Sequence, residues 1–210
     1  YMSIFQTIFT ELKYITFAIK LVKRAGRVDN YPMETVADLI EEQVKKNGNK
    51  TAIEFEEKKY TYQELDDEAN KVAHWAISKG FKKGDVVSLL MENRPEFIFT
   101  WYGFAKIGGT IACLNSNIKS KSLAHCIQTS KSKSIIVDSE LIDNYSSAHD
   151  LLDEKLPVYV IGKEVQGYEG ILPDDFSDTN PGASMREGLK NTESLFYIYF
   201  LKTALFRGHA

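Results

Sequence analysis

His125 and Cys126 stand side by side, a nucleophile or metal-ligand pair by residue type. Neighbours on a short helix point in different directions, and no partner cluster stands at ligand spacing. Both read as structural or surface positions. Cys113 falls inside an apolar run and reads as a small hydrophobe. His74, His149 and His209 have no partner evident from spacing. Arg94 stands near a helix start, where it could approach an acid or a phosphate, but its place within a capping sequence favours a scaffold role. Asn115-Ser-Asn117 follows a strand, at the end where open α/β sheets place ligands. The same residue types satisfy turn backbones, and a turn is the simpler reading. Glu41-Glu42 and Asp66-Asp67-Glu68 read as solvated helix faces. The aromatics Trp75, Phe97, Phe99, Trp101, Tyr102 and Phe104 read mainly as core. No catalytic, cofactor-binding or metal-binding residue is assigned from these patterns.

The elements that would position such residues follow a regular order. Thr35-Val-Ala-Asp38 resembles a capping box and opens a helix running to Asn47-Gly48. Thr51–Glu56 alternates as a strand does, and Lys59–Tyr62 is placed to pair with it as a hairpin. Thr61-Tyr-Gln-Glu64 is a second capping box. Its helix carries Leu65, Ala69, Val72, Ala73, Ala76 and Ile77 inward, and Gly80 ends it in a left-handed conformation. Val86–Met91, Thr110–Leu114, Ser134–Val137 and Val158–Ile161 are apolar runs, as expected of strands buried on both faces. Helices are expected between them, the first capped by Asn93-Arg-Pro-Glu96, running to Ile107 and broken at Gly108-Gly109. Others fall at Ser122–Thr129 and over 139–154. Residues 162–192 read as loop, and Phe196–Phe200 as another strand. The whole is an α/β fold, a mostly parallel sheet with helices on both faces.

The first thirty residues are a different object. They carry five basic and two acidic side chains, while the other 180 carry 21 and 27. Ile4, Ile8, Leu12, Ile15, Ile19 and Val22 fall within a stripe of roughly 80° on a helical wheel, widened by Phe5 and Phe9. Lys13, Lys20 and Arg24 lie on roughly the opposite side, and Lys23 adds to the positive charge. This is a basic amphipathic helix, read as lying on a membrane surface, with packing on the main domain as the rival reading. The longest charge-free stretch of these thirty residues, Tyr1–Thr10, is far short of the ~20 residues that span a bilayer. A formal charge of −3 gives no bulk attraction to nucleic acid, and two cysteines are too few for a disulfide scaffold.

Several stretches resemble the adenylate-forming superfamily, and more narrowly the fatty acid transport protein / very-long-chain acyl-CoA synthetase family. They are Thr35-Val-Ala-Asp-Leu, Tyr60-Thr-Tyr-Gln-Glu-Leu-Asp, Lys83-Gly-Asp-Val-Val and Met91-Glu-Asn-Arg-Pro-Glu-Phe. Leu114-Asn-Ser-Asn-Ile, Leu123-Ala-His-Cys-Ile and Ser194-Leu-Phe-Tyr-Ile-Tyr follow in order. The resemblance divides the chain into a membrane-surface helix over 1–30, part of the large amino-terminal AMP-binding lobe over 34–199, and a divergent tail over 200–210.

The resemblance implies a two-step ligase reaction. A fatty acid carboxylate attacks the α-phosphate of ATP, with Mg²⁺ assisting, giving acyl-adenylate and pyrophosphate. The thiol of coenzyme A then displaces AMP. The family's phosphate loop, of the form Thr-Ser-Gly-Thr-Thr-Gly-Leu-Pro-Lys, follows the Tyr-Ile-Tyr strand. Here Tyr197-Ile-Tyr199 runs instead into Phe-Leu-Lys-Thr-Ala-Leu-Phe-Arg-Gly-His-Ala. The chain by itself is therefore expected to be inactive and to bind none of ATP, Mg²⁺ or coenzyme A. A full-length parent would use all three to activate long or very long fatty acids and so drive their uptake. Attachment to the cytosolic face of a membrane is expected, with endoplasmic reticulum, plasma membrane and peroxisome all compatible, as is a homo-oligomer. Two other readings stay open: a non-catalytic membrane-surface or partner-binding variant, and a ligase for another acid, such as a bile acid.

Overall fold

A computed structural model of the 210-residue chain describes residues 33–190 and the backbone of Phe196–Ile198. The expected membrane contacts, from Ile4 to Arg24, and the tail over 200–210 lie outside the described residues. Ala37–Glu187 and Phe196–Ile198 belong to one compact unit, and 33–36 and 188–190 fall in a second.

The first helix, α1 (Val36–Asn47), begins directly after Thr35 and ends before Gly48, as its sequence predicts. Strands β1 (Thr51–Phe55) and β2 (Lys58–Thr61) form an antiparallel hairpin. Helix α2 (Tyr62–Ser78) opens on the predicted capping box. The Glu64 N–H donates to Thr61 Oγ1 at 3.2 Å, and the Thr61 N–H donates to Glu64 Oε2 at 2.7 Å. Two amides that a helix start would otherwise leave unpaired are thereby satisfied. Gly80 closes the helix at φ +75°, as predicted.

The rest is a parallel sheet. Its strands are β3 (Val86–Leu90), β4 (Thr110–Leu114), β5 (Ser134–Asp138), β6 (Val158–Ile161), β7 (Glu169–Ile171) and β8 (Phe196–Ile198). They lie in the order β7-β6-β5-β3-β4-β8, every neighbouring pair parallel. Helices α3 (Pro95–Lys106), α4 (Ser120–Ser130) and α5 (Ile142–His149) make the crossovers. Strand alternation sorts the side chains into two cores. Val87, Leu89, Ile111 and Ile136 meet α2 and α3, including Trp75, Phe104 and Ile107. Leu90, Leu114, Ile135 and Val137 meet α4 and α5, including Leu123, Ile127 and Tyr145. Both faces of the central strands are thus buried, which is why their sequences are continuously apolar.

Helices α2 and α3 cross closely at Gly103. A β-carbon there would stand 2.8 Å from both the Ala69 carbonyl oxygen and Val72 Cβ, so only glycine permits this approach.

Three expectations need correction. Residues 162–192 are not all loop: Glu169-Gly-Ile171 pairs with β6, its register set by backbone hydrogen bonds rather than by an apolar pattern. The helix expected over 139–154 begins as a 3₁₀ turn at Ser139–Leu141 and ends at His149. Asn93 does not cap α3. Pro95 takes the first helical position, so the capping position falls on Arg94, which makes no side-chain cap bond.

Candidate functional site at the carboxyl ends of the strands

Helix α3 carries the chain from β3 to β4 on one face of the sheet, and α4 carries it back across β3 to β5 on the other. The connections leaving β3 and β5 therefore diverge, and the crevice between their ends is a topological switch point, where open α/β sheets place ligands.

Beside it lies a groove of about 590 Å³, bounded by the ends of β3 and β4 and the first turns of α3. Its apolar surface comes from Met91, Phe97, Ile98, Trp101, Cys113 and Leu114. Phe97 and Trp101 are four residues apart on α3 and so share a face. Both are half-buried and pack against the α2–α3 core, while Phe99, Tyr102 and Phe104 turn fully inward. The core reading of the aromatics is right for Trp75, Phe99, Tyr102 and Phe104. Phe97 and Trp101 belong to the groove as well. The mouth is polar, with Glu92, Asn93, Asn115, Ser116 and Asn117. Asn115 Oδ1 accepts the Asn117 N–H at 2.9 Å, so the triplet makes the predicted turn and also lines the groove. Burial pushes the Cys113 thiol up to about 11, so it is neutral near pH 7 and behaves as a hydrophobe.

At the switch point, Arg94 Nε lies 3.2 Å from Asp138 Oδ2 and 3.5 Å from Glu96 Oε2. Asp138 is 1% exposed, and its Oδ1 accepts the Glu140 N–H at 3.1 Å. Burial raises its carboxyl above the ordinary range, with the Glu140 N–H and Arg94 opposing. The scaffold reading of Arg94 fits this pairing, which ties the start of α3 to the end of β5.

The acidic pairs divide. Glu42 pairs with Lys46 on the outer side of α1, Asp67 accepts from Gln63 at 2.8 Å, and Glu68 pairs with Lys71 at 2.8 Å, as solvated faces do. Asp66 is buried and Glu41 half-buried. The Lys106 ammonium, 0% exposed, lies 3.1 Å from Glu41 Oε1 and 2.8 Å from Asp66 Oδ1. The Tyr102 hydroxyl donates to Asp66 Oδ1 at 2.6 Å. Arg186 Nη2 reaches Asp38 Oδ1 at 2.6 Å and Glu41 Oε2 at 2.7 Å. Burial pushes Glu41 up, but the Asn180 amide and the Lys106 and Arg186 charges outweigh it and hold the carboxyl low. Burial also raises the Tyr102 hydroxyl, with the Asp66 bond adding to it. The network joins α1, α2, α3 and the 3₁₀ turn at Ala183–Arg186, and its geometry is that of a staple.

The histidines behave as structural residues. His125 is exposed while Cys126 is buried, so the adjacent pair points apart. His74 Nε2 lies 2.9 Å from the Thr179 carbonyl oxygen, and His149 Nδ1 lies 2.9 Å from Asp150. His209 lies outside the described residues. Among the described residues no three His, Cys, Asp or Glu side chains are grouped to hold a metal ion, and no helix is long and apolar enough to cross a membrane.

A family model described as AMP-binding enzyme matches residues 40–200. The chain belongs to the AMP-binding enzyme family. It is 32% identical over 163 residues to long-chain fatty acid transport protein 6 of Mus musculus, covering 75% of this chain and 25% of that one. The Homo sapiens protein of the same name is 35% identical over 149 residues, covering 70% and 24%. The chain thus spans about a quarter of the length of these relatives. Among solved structures, an anthranilate CoA ligase in complex with anthranoyl-AMP matches with a TM-score of 0.66 at 22% identity, over 72% of this chain and 30% of that one. That likeness establishes the fold.

Among the described residues, the groove's lining contains no lysine, arginine or histidine, and Glu92 stands at the mouth.

Proposed function

We propose that the chain is an amino-terminal portion of a fatty acid transport protein-type acyl-CoA synthetase. The observation that carries this is the family match over residues 40–200, together with the transport-protein relatives that align to the same lobe. The parent enzyme joins a long or very long fatty acid to coenzyme A through an acyl-adenylate, using ATP and Mg²⁺, and thereby retains the acid inside the cell. This chain contributes the scaffold at the strand ends. The last described residue of β8, Ile198, pairs with groove-lining Cys113, and the family's phosphate loop follows that strand. Residues 200–210 contain one glycine, and the 210 residues alone perform no adenylation.

Residues 1–30 hold the protein on the cytosolic face of a membrane through Ile4, Phe5, Ile8, Phe9, Leu12, Ile15, Ile19 and Val22, with Lys13, Lys20, Lys23 and Arg24 toward anionic lipid.

ATP–pyrophosphate exchange with a long-chain fatty acid tests the catalytic statements. The purified chain gives no exchange above a no-protein control, and measurable exchange would overturn the statement of inactivity. The parent activity is tested by joining Tyr199 to the remaining sequence of the human relative, which yields exchange dependent on long-chain acid. Flotation with anionic vesicles tests the leader. A chain lacking 1–30 stays at the bottom of the gradient, and equal flotation of both chains would remove the anchor.

A further inference from the structure

We infer that residues 200–206 of this chain dock in the groove between the ends of β3 and β4 and the start of α3, as an occupant tethered to the groove's own wall. The segment lies outside the described residues, and three observations point to it. The first is position. Strand β8 runs parallel to β4, with Ile198 opposite groove-lining Cys113. Paired strands lie about 4.8 Å apart, so the chain leaves β8 directly beside the groove. It leaves at the carboxyl end, where Leu114 and Asn115 continue the lining. Residues 200–206 reach about 23 Å when extended, enough to enter a recess whose wall they already adjoin. The second is the surface. Phe97, Ile98, Trp101 and Cys113 are half-buried and line the recess with apolar groups, and Ile98 belongs to neither core. Apolar groups that exclude water from such a surface are stabilised by doing so.

The third is the chemistry of the segment. Phe200, Leu201, Leu205 and Phe206 supply large apolar side chains within a few residues of one another. Lys202 and Arg207 stand beside them, and residues 199–210 contain no acid. The groove has the opposite character at its rim: Glu92 is at the mouth, and no cationic side chain is in the described lining. The apolar pairs therefore enter while the two cations stay at the acidic, wet rim. The tether does the rest. A segment joined to its site by a short connection has an effective concentration of the order of millimolar, so weak contacts suffice to hold it. A free apolar ligand or a second copy of the chain binds here only by displacing it.

Trp101 supplies the readout, because the only other tryptophan, Trp75, is 1% exposed in the core. Collisional quenching by acrylamide is measured on the full chain and on its Leu205→Asp/Phe206→Asp variant. The double substitution is expected to raise the quenching slope at least twofold, and the slope of the full chain is expected to stay constant as the protein is diluted. Lys202→Glu/Arg207→Glu also raises the slope, and adding Glu92→Lys to that variant returns it toward the value of the full chain. Equal slopes in the full chain and the Leu205→Asp/Phe206→Asp variant, both with native circular dichroism, would overturn the proposal. A slope that rises on dilution would also overturn it and assign the groove to a second copy. Where the two aspartates unfold the chain, the charge reversal decides: no rise, or a rise that Glu92→Lys does not reverse, overturns the docking.

Discussion

Lys106 and Asp138 are both buried charges, 0% and 1% exposed, and they sit near opposite ends of the same helix. Lys106 closes α3 inside a network in which two cations meet three carboxylates. Asp138 faces the start of α3 with one arginine, and the contact misses hydrogen-bond geometry. Charges that hold a fold together are bonded on several sides. At the carboxyl ends of the strands the bonding is thinner, and an apolar groove lies beside it.

The largest expected effect lies in the network. Lys106→Met leaves buried Asp66 and half-buried Glu41 without their shared cation and destabilises the unit by about 3–5 kcal/mol, read from urea unfolding. A loss below 1 kcal/mol would mean that the network is solvated and the contrast false.

Acid titration separates the two carboxylates further. Glu41 is held below its ordinary value of 4.5, so the unfolded chain takes up the proton first. Its contribution to stability is complete above about pH 4.5 and is lost as pH falls through its folded value. Asp138 is held above its ordinary 3.8, so the folded chain takes up the proton first and gains stability as pH falls through that raised value. Urea unfolding below pH 5 is therefore expected to fall less steeply in Glu41→Gln than in the wild type. Asp138→Asn is expected to fall more steeply. Parallel curves would contradict the assignment.

The smallest effect is at neutral pH. Asp138→Asn keeps an oxygen for the Glu140 N–H and removes a buried charge, so stability changes by less than about 1 kcal/mol. A loss like that of Lys106→Met would make the two ends of α3 equivalent.

The sheet was legible because β3, β4, β5 and β6 are buried on both faces and their sequences carry little else. Strand β7 was hidden, since Glu-Gly-Ile has neither alternation nor an apolar run and is held from its backbone. Glu41 and Asp66 resemble any surface acid in sequence. The Glu41 partners lie 65 and 145 residues away, a distance that spacing rules do not reach. One signal was available: Lys106 ends a helix, Pro-Glu-Phe-Ile-Phe-Thr-Trp-Tyr-Gly-Phe-Ala-Lys, that is otherwise almost wholly apolar, so its charge required a buried partner. The groove was half legible. The turn at Asn115-Ser-Asn117 and the aromatic spacing of Phe97 and Trp101 are both in the sequence, but the fold alone brings them together.

The most direct test of the account is pyrophosphate exchange by the protein made by joining Tyr199 to the remainder of the human relative. Exchange is expected to rise with a sixteen-carbon or longer acid and to stay near background with acetate. A folded protein that exchanges with acetate as well as with the long acid, or with neither, would contradict it.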